Sequence, residues 1–478
     1  MTDAVRRAVL VVGVLAVLVG IAVAGGGNDG GAVGGPGAGG LSSSGSPTRV
    51  PTAGAETSAW FCAGATGAGG DAQPVMLLTN PTRWTVTGMV TTVSSVGAPT
   101  PTPVTVPART EIAVAPAPGI TGGSVASTVV LRGGGVGVTE VVSGPLGFSA
   151  APCASTTASH WYFADASTVQ GDTLSLSLFN PTGTVAVVDV SFVSSTGLVA
   201  PPAYQGIDVP GDSMVVENVG DHVQNDPDLA TAVTALSGQV VAAELESAGP
   251  AGSGGPSDVL GATTPSTTWS FAQNTDVATG GTVFHVFNPS TATARVTVKI
   301  GLQQGAAEPL VMRVPAGSVS TLDTRQLTRI PGDTPFAVTF VAGGGVGIVV
   351  DRHVSSPAGA PAPETGDVAG VAGGAVRWLL PSEYPPSTGV SAFAVVDLNP
   401  APVTVRLSVL SQAGLVPVPG FGSRRIRPGA PLIIGAGPGL ALGTVPSELV
   451  ASGPVAVEAD AMPVGSPGVV VSPALALP

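Results

Sequence analysis

The sequence predicts an all-β protein built from four tandem Greek-key β-sandwich domains behind an N-terminal signal or transmembrane helix. Three observations support this prediction: one residue pattern returns four times, short apolar runs alternate with turn residues, and an uncharged apolar segment follows two arginines near the start. Repetition at a regular interval marks duplicated structural units, so it carries the most weight. A chain of 478 residues is also long enough to form several apolar cores of ordinary size.

The recurring pattern consists of an early Trp, an Asn-Pro step 19 to 21 residues later, and an acidic residue 59 to 64 residues beyond the Asn. Its members are Trp60, Trp161, Trp269, Trp378, Asn80, Asn180, Asn288, Asn399, Glu140, Glu244, Asp351 and Glu458. Because the landmarks return in fixed order, we expect structural roles for them. Each acid is expected to lie in the last strand of its repeat and to accept hydrogen bonds from backbone N–H groups or from the early Trp indole, since a buried polar group needs a partner.

The second repeat shows the internal plan. Residues 174–179 alternate between apolar and polar and stop at Asn180, where Pro181 restricts the preceding residue to extended geometry. Further strands are expected over residues 185–193, 207–209, 214–219, 232–236 and 240–245. About seven short strands in about 90 residues are typical of a Greek-key β-sandwich.

Glycine-rich stretches occur at residues 133–137 and 343–347, where they align with Ser237-Gly238 and Ser452-Gly453. A phosphate-binding loop would need a Lys directly after its glycines, and no Lys follows either stretch. We therefore expect hairpin turns at these places.

Composition shifts predict the domain boundaries. We expect a signal-anchor or signal peptide over residues 1–24 and a Gly/Ser/Pro-rich tether over residues 25–57. The four β-sandwich units, called repeats 1 to 4 below, are expected over residues 58–153, 159–249, 267–355 and 375–470. The intervening residues 249–267 and 355–374 are rich in Gly and Pro, which predicts linkers that permit bending.

The N-terminus predicts the compartment. Arg6 and Arg7 precede residues 8–24, which are apolar and uncharged, and this order favours export of the following chain. The segment is at the short limit for a spanning helix and long for a signal-peptide core. An uncleaved anchor would leave a single-pass protein in the cell membrane, with an exported C-terminal region. Cleavage near Ala24 would release a secreted protein, and both outcomes stay open.

Cys62 and Cys153 are the two cysteines of the chain, and they bracket repeat 1. In an exported chain, an isolated pair in this position predicts a disulfide. Two free thiols or half of a metal site are the alternatives.

The sequence offers little for chemistry. A formal net charge of −13 argues against nucleic acid as a partner. No nucleophile elbow, HExxH motif or Cys/His cluster is present. His285 and His353 share repeat 3, but their spacing matches no metal motif. We therefore expect no catalytic, cofactor-binding or metal site, although two carboxylates that converge in space would be invisible at this level.

A resemblance follows from the motifs. Trp-x-Phe, a strand that ends in Asn-Pro-Thr/Ser, a Val-Pro-x-Gly turn and a late acid resemble an immunoglobulin-like repeat found in many bacterial secreted proteins. Such repeats often carry an acid-Arg pair in the last strand; here Asp351-Arg352 matches fully, whereas the acids of the other three repeats lack the Arg. With its N-terminal segment, the chain is similar to large secreted actinobacterial proteins classed as a family of unknown function. The resemblance implies immunoglobulin-like sandwiches and export, and it supplies no activity.

These observations predict a non-catalytic extracytoplasmic envelope protein that presents β-sandwich modules for structural, protein or cell-wall interactions. Its N-terminal helix would contact the membrane, and its partners would be cell-wall polymer or envelope proteins. A glycan-binding module is the alternative, with Trp84 as the candidate contact because the other four Trp residues recur at a core position. A hydrolase that acts on envelope polysaccharide is the third interpretation. A function confined to one repeat would be expected where the repeats differ, namely at Trp84, in repeat 1 with its cysteine pair, and at His285 with His353.

Overall fold

The computed structural model describes residues 48–478 apart from 68–69, 71, 96, 118–119, 121, 145–146, 248, 250–254, 275–280, 333, 356–364, 383–388, 436–442, 444 and 464–469. The predicted N-terminal helix and most of the tether lie outside these residues. Among the described residues, no helix is long and apolar enough to cross a membrane. The described chain is all-β, with antiparallel sheets and three-residue 3-10 helices at Pro202–Tyr204, Val219–Asp221 and Thr324–Gln326.

Repeats 1 and 2 each form two facing sheets, as expected for β-sandwich domains. The strands of repeat 1 are β1 (Ser58–Thr66), β2 (Gln73–Asn80), β3 (Val86–Ser94), β4 (Thr100–Val106), β5 (Thr110–Val114), β6 (Ser124–Arg132), β7 (Gly137–Gly144) and β8 (Gly147–Pro152). They are ordered β1-β6-β3-β4 and β5-β2-β7-β8. The strands of repeat 2 are β9 (His160–Phe163), β10 (Thr173–Asn180), β11 (Ala186–Ser194), β12 (Gly197–Val199), β13 (Ile207–Val209), β14 (Ser213–Asn218), β15 (Ala230–Ser237), β16 (Val241–Ser247) and β17 (Pro256–Leu260). They are ordered β12-β11-β15-β9, with β13 also on β11, and β14-β10-β16-β17.

Repeat 3 follows the same plan. Its strands are β18 (Thr268–Asn274), β19 (Gly281–Asn288), β20 (Ala294–Leu302), β21 (Leu310–Val314), β22 (Ser318–Asp323), β23 (Phe336–Ala342), β24 (Val349–Ser355), β25 (Thr365–Ala369) and β26 (Val371–Ala372). They are ordered β21-β20-β23-β18-β26 and β22-β19-β24-β25.

Repeat 4 differs because one long strand belongs to both layers. Its strands are β27 (Ala375–Leu380), β28 (Gly389–Asp397), β29 (Val403–Ser411), β30 (Gly414–Pro417), β31 (Ser423–Ile426), β32 (Pro431–Gly435), β33 (Ser447–Pro463), β34 (Val470–Pro473) and β35 (Leu475–Ala476). β33 pairs with β27 and β29 through its first half and with β28 and β34 through its second half. The two layers are therefore joined into one nine-stranded sheet.

The turns predicted as hairpins connect different sheets instead. The glycine-rich residues 133–137 lie between β6 and β7, and residues 343–347 lie between β23 and β24, strands that belong to opposite sheets of their repeats. Ser237 and Gly238 link β15 to β16 in the same way, and Ser452 and Gly453 lie inside β33. The hairpin interpretation was wrong because a turn signal between two strands does not say whether the second strand pairs with the first or crosses to the facing sheet.

The predicted linkers also contain strands. β17 lies in residues 249–267 and all of its residues are buried, and β25 lies in residues 355–374. Both are edge strands that pair with the last strand of their repeat, β16 and β24. Pro and Gly in these segments thus flank short buried strands, and the described residues from Thr48 onward belong to one compact unit.

The four repeats contact one another in a closed order. The core of repeat 2 includes Ala63 and Ala126 of repeat 1, the core of repeat 3 includes Ala164 and Ala230 of repeat 2, the core of repeat 4 includes Ala272 and Ala337 of repeat 3, and the core of repeat 1 includes Leu379 and Leu475 of repeat 4. The edge strands β8, β17, β25 and β34 contact each other in the same order, and β34 returns to β8. This arrangement links the edge strands of all four repeats in a closed series of contacts.

Candidate functional site

The signature Asn residues fix the turn after the second strand of repeats 1 to 3. The Asn180 side chain is fully buried; its Nδ2 donates to the carbonyls of Thr184 (2.7 Å) and Val209 (2.9 Å), and its Oδ1 accepts from the backbone N–H and hydroxyl of Thr182. Asn80 and Asn288 make the matching contacts. These bonds tie the end of one strand to the mid-repeat turn, so the residues are structural.

In repeat 4 this position belongs to Asp397. Asp397 ends β28, is 1% exposed, and accepts from the backbone N–H groups of Asn399 (2.8 Å) and Val403 (3.2 Å). Asn399 itself lies outside the strand and bonds Pro454 O with its Nδ2 at 2.7 Å. The assignment of Asn399 to the repeated position was therefore wrong by two residues, because the Asn-Pro step in repeat 4 falls after the structural counterpart.

The signature Trp residues are buried and their indoles bond backbone carbonyls. Trp161 Nε1 donates to Val240 O (2.9 Å), Trp269 Nε1 to Ile348 O (2.6 Å) and Trp378 Nε1 to Val455 O (3.2 Å). Trp60 Nε1 is buried with no hydrogen-bond partner among the described residues. The three bonded indoles thus donate to backbone carbonyls, so of the two partners expected for the repeated acids the structure shows backbone N–H groups and not the Trp indoles.

The four repeated acids are all buried but occupy two different positions. Glu140 and Glu244 lie opposite Met76 and Leu176, whose side chains belong to the cores of repeats 1 and 2. Asp351 and Glu458 lie one residue earlier in the register, opposite His285 and Ala394. Counted from the carbonyl that accepts the Trp indole, Glu244 is the fourth residue, whereas Asp351 and Glu458 are the third. Because neighbouring residues of a strand point to opposite faces, the two kinds of acid face different surroundings.

The acids of repeats 3 and 4 face the preceding repeat. Asp351 Oδ2 accepts from the backbone N–H of Ala164 in repeat 2 at 2.5 Å. Glu458 Oε2 accepts from Ala272 N (2.7 Å) and Gln273 N (3.0 Å) in repeat 3. Backbone acceptance was expected, and these two acids show it, but across an interface rather than within a repeat.

The same structural positions carry different residues at each interface between repeats. Two positions on the face that meets the preceding repeat can be compared. Opposite the third residue counted above, the second strands of repeats 1 to 4 hold Leu77, Ser177, His285 and Ala394. Two residues after that third residue, the last strands hold Val141, Leu245, His353 and Asp460. The edge-strand partners of the latter are Ala150, Asp258, Asp367 and Val471. The residue four places after each Trp is Gly64, Asp165, Gln273 and Ser382. Histidines occupy these positions at one interface, that of repeats 2 and 3, where Asp165 and Asp367 accompany them.

At that interface Asp165 of repeat 2 meets two histidines of repeat 3. The His285 Nδ1 atom is 2.9 Å from Asp165 Oδ2, and its Nε2 is 2.8 Å from Asp228 Oδ1. The His353 Nδ1 atom is 2.7 Å from Asp367 Oδ1 and 3.9 Å from Asp165 Oδ2. Asp165, His353 and Asp367 each place a potential ligand atom within 4.8 Å of the other two. We call Asp165, Asp228, His285, His353 and Asp367 the interface cluster.

Burial and charge shift the pKa values of the interface cluster. Burial lowers the pKa of His285, but the Asp165 and Asp228 carboxylates outweigh it and raise the pKa to about 10. Burial also lowers the pKa of His353, and Asp367 and Asp165 raise it to about 9. Desolvation raises the pKa of Asp165, whereas hydrogen bonding to His285 lowers the pKa of Asp228. The cluster therefore holds positive charge strongly, on both imidazole rings at neutral pH.

Further buried acids surround the cluster. Burial raises the pKa of Glu244 and of Glu246 well above 4.5, and it raises the pKa of Asp351 to about 7. Glu246 Oε2 accepts from Ser167 N at 2.8 Å, which fixes the chain after β9. Acids therefore outnumber bases in this part of the molecule.

At the two interfaces described next, different residues occupy the matching positions. Between repeats 3 and 4, Arg352 takes the position that Glu244 has in repeat 2; it bonds Gln273 O and Asn274 Oδ1 and lies 3.6 Å from Glu458 Oε1. Between repeats 1 and 2, a Cβ atom at Gly64 would clash with the Asp258 carboxylate, so Gly64 leaves room for this acid.

Access to the interface cluster is limited. The Asp165 side chain is 3% exposed and that of His285 is 4% exposed, whereas His353 and Asp228 are 28% and 39% exposed. A small ion could reach the cluster past these two side chains, but a polymer substrate would meet only their edges. The geometry is therefore suited to cation or proton binding.

The remaining sequence predictions have clear outcomes. Cys62 and Cys153 form a disulfide, as predicted. Trp84 is 44% exposed, and Arg83 lies 5.1 Å from its ring centre. His285 and His353 were noted as a difference between copies, but their partners Asp165 and Asp228 come from another repeat and Asp367 from a segment interpreted as linker. A position-by-position comparison of the four repeats is the step that could have identified these three aspartates from the sequence.

Comparisons with known proteins give limited information. A model of a family of unknown function, DUF5719, matches residues 134–334, which include Asp165, Asp228 and His285. No curated protein matches the chain. A crystal structure of a tetra-tandem repeat in the extending region of a large adhesion protein is 13% identical, with 83% of this chain and 92% of that chain covered at a TM-score of 0.09. A likeness at so low a TM-score carries no argument. The chain is thus similar, over part of its length, to a family without an assigned activity.

Proposed function

We propose that this chain is a non-catalytic extracytoplasmic protein of the cell envelope, in which four immunoglobulin-like sandwiches form one body that presents its surface to cell-wall polymer or envelope proteins. The N-terminal segment would hold it at the membrane, or would be cleaved near Ala24. The finer resemblance to secreted actinobacterial proteins belongs to this proposal.

The main support for the proposal is the structural role of the repeated Trp, Asn and acidic residues. All of them except Asn399 are buried, and those with resolved partners bond backbone groups of their own or the neighbouring repeat. Catalytic groups must reach a substrate, whereas these buried groups hold their own repeat together or, at Asp351 and Glu458, bond the preceding repeat. The pattern duplicated four times is therefore a framework pattern.

The disulfide supports the compartment. Disulfides persist in oxidising environments and are rare in the cytosol. The Cys62–Cys153 bond joins the first strand of repeat 1 to the segment after its last strand, where it supports an exported location.

A localisation experiment tests this proposal. The full chain with a C-terminal epitope would be produced in a bacterial host, and intact cells would be treated with protease before and after osmotic opening. We expect the epitope to be digested wherever the outer face of the cytoplasmic membrane is accessible. An epitope that resists protease until the cytoplasmic membrane is lysed would contradict export.

One observation favours glycan binding as a second candidate. Trp84 is the exposed residue among the five Trp residues, all of which are described, and sugar sites commonly use an exposed aromatic ring. We expect acrylamide to quench Trp84 before the other four. Sedimentation with purified wall polysaccharide, lost in Trp84→Ala and kept in an exposed control such as Leu198→Ala, would support this candidate; equal sedimentation of both variants would reject it.

A further inference from the structure

The interface cluster contains one close contact between two buried atoms. His285 Nδ1 and Asp165 Oδ2 are 2.9 Å apart, yet neither atom has a hydrogen-bond partner of acceptable geometry. Both side chains are more than nine-tenths buried. A positive charge must lie between or beside them, either the Nδ1 proton or a metal ion, because a buried carboxylate without a compensating charge is costly.

The partner of His285 Nε2 determines that Nδ1 is the ring nitrogen available to a metal ion. Asp228 Oδ1 lies 2.8 Å from His285 Nε2, so the Nε2–H group donates to this carboxylate. Release of the Nδ1 proton would leave the Nδ1 lone pair facing Asp165, so a metal ion would bind there in exchange for this proton. A carboxylate that orients an imidazole from behind is the usual outer partner of a zinc-binding histidine.

Two further donor groups, His353 and Asp367, lie close to this contact. Asp165 Oδ2 is 3.9 Å from His353 Nδ1, and Asp367 completes a set whose ligand atoms lie within 4.8 Å of one another. Two ligands of one zinc ion, each at about 2.0–2.2 Å, lie about 3.3–3.6 Å apart in tetrahedral geometry. Shifts of about an ångström would therefore bring the atoms of Asp165, His353 and Asp367 to coordinating distance, and His285, whose Nδ1 lies 2.9 Å from Asp165 Oδ2, would be the fourth ligand. The backbone of Asp367 is already held by Ser257, whose Oγ accepts from Asp367 N at 2.8 Å.

Comparison with the neighbouring interface shows what is specific here. At the interface of repeats 1 and 2, the positions of Asp165, His285 and His353 hold Gly64, Ser177 and Leu245, while Asp258 stands where Asp367 does. The same scaffold thus packs without any imidazole. Structural packing alone does not account for two histidines and an added aspartate at one interface of four.

We propose that Asp165, His285, His353 and Asp367 form a binding site for one divalent transition-metal ion of the zinc class, which fastens repeat 2 to repeat 3. Two imidazole and two carboxylate ligands suit Zn²⁺ and disfavour Ca²⁺, which takes oxygen ligands. The ion would also offset the excess of buried carboxylates. Asp228 would act as the outer partner of His285, and the opening beside His353 and Asp228 would admit the ion.

Metal content and metal-dependent stability test the site. The full chain would be stripped with a chelator, dialysed, and titrated with Zn²⁺, Co²⁺ and Ca²⁺. We expect one Zn²⁺ per chain, a Tm that rises with Zn²⁺ and falls again with chelator, and visible d–d absorption from Co²⁺ that Zn²⁺ displaces. Ca²⁺ should change none of these readings.

Variants locate the ion. His285→Ser with His353→Leu introduces the residues that repeat 2 carries at the same positions, and it should abolish stoichiometric binding. Asp228→Asn keeps every ligand and should weaken binding about 10- to 100-fold. Asp258→Asn, at the matching position of the adjacent interface, serves as the control and should bind like the unchanged chain.

The outcomes decide the proposal in each case. Absence of stoichiometric Zn²⁺ and of a Tm response, equal stabilisation by Ca²⁺, or undiminished binding in the histidine variant would overturn it. If the histidine variant does not fold, Asp228→Asn and the Co²⁺ spectrum of the unchanged chain remain, and a spectrum without d–d absorption would overturn it as well.

Discussion

Replacement of Glu140 by Gln should remove a large part of the pH dependence of stability. Glu140 in β7 is 2% exposed and lies opposite Met76 in the core of repeat 1. Burial raises the pKa of Glu140 to about 8, and burial together with the Glu140 charge raises the pKa of Asp258 well above 3.8. Two buried acids close together favour the protonated forms, because neither can ionise without solvent.

The sign and size follow from proton binding. The folded chain keeps the Glu140 proton up to about pH 8, whereas the unfolded chain releases it near pH 4.5, so the free energy of unfolding falls as the pH rises between these values. At about 1.4 kcal/mol per pH unit, this loss is on the order of 5 kcal/mol for Glu140. Glu140→Gln cannot ionise. Relative to the unchanged chain, it should therefore gain stability progressively from pH 4.5 to 8.

Urea unfolding followed by Trp fluorescence at pH 4.5, 6, 7 and 8 measures this difference. Glu308→Gln, at an exposed position, is the matched control and should differ from the unchanged chain by the same small amount at every pH. Asp258→Asn should reduce the pH dependence in the same direction as Glu140→Gln. A Glu140→Gln variant with the same pH slope as the unchanged chain would refute the reasoning.

Three other predictions concern stability. The double variant Cys62→Ala/Cys153→Ala opens a loop with a sequence separation of 91 and should lose about 4–5 kcal/mol of stability in the loop-entropy treatment; reductant should lower the Tm of the unchanged chain alone, and equal sensitivity of both proteins would contradict this. Glu458→Gln leaves the buried Arg352 without its carboxylate and should destabilise by about 3–5 kcal/mol, with partial recovery when Arg352→Met is added; additive effects in the double-mutant cycle would show that the two side chains do not interact. Asn180→Ala removes the donor to the carbonyls of Thr184 and Val209, of which the bond to Val209 is buried, and should lower stability by about 1–3 kcal/mol in chemical denaturation; a loss well under about 1 kcal/mol would argue against its role in the turn.

Several features followed from sequence because they depend on local chemistry. The Trp positions predicted buried cores, Asn80, Asn180 and Asn288 predicted a strand end and a turn, and Cys62 with Cys153 predicted a disulfide. Each of these residues acts through contacts that its own repeat supplies. Duplication made them visible, because the same local solution was used more than once.

Other features did not follow because they depend on register and on contacts between distant segments. A shift of one residue separates Glu244 from the position of Asp351, and one residue in a strand exchanges one face for the other. Spacing measured from Asn to acid varies by more than this shift. The bond from Ala164 to Asp351 spans 187 residues, and nothing local in either segment indicates the other.

The sequence by itself determined that this protein consists of repeated all-β units with buried Trp residues, and that one of these units contains a disulfide. Apolar patterning, turn residues and duplication are local properties, so they can be read from the sequence. Tertiary structure decided that the edge strands contact one another in a closed series, that repeat 4 contacts repeat 1, and that Asp165 joins His285 and His353 at one interface. The physical reason is that contacts between repeats form only when the folded sandwiches pack against one another. Which side chains share an interface is therefore set by how whole sandwiches dock.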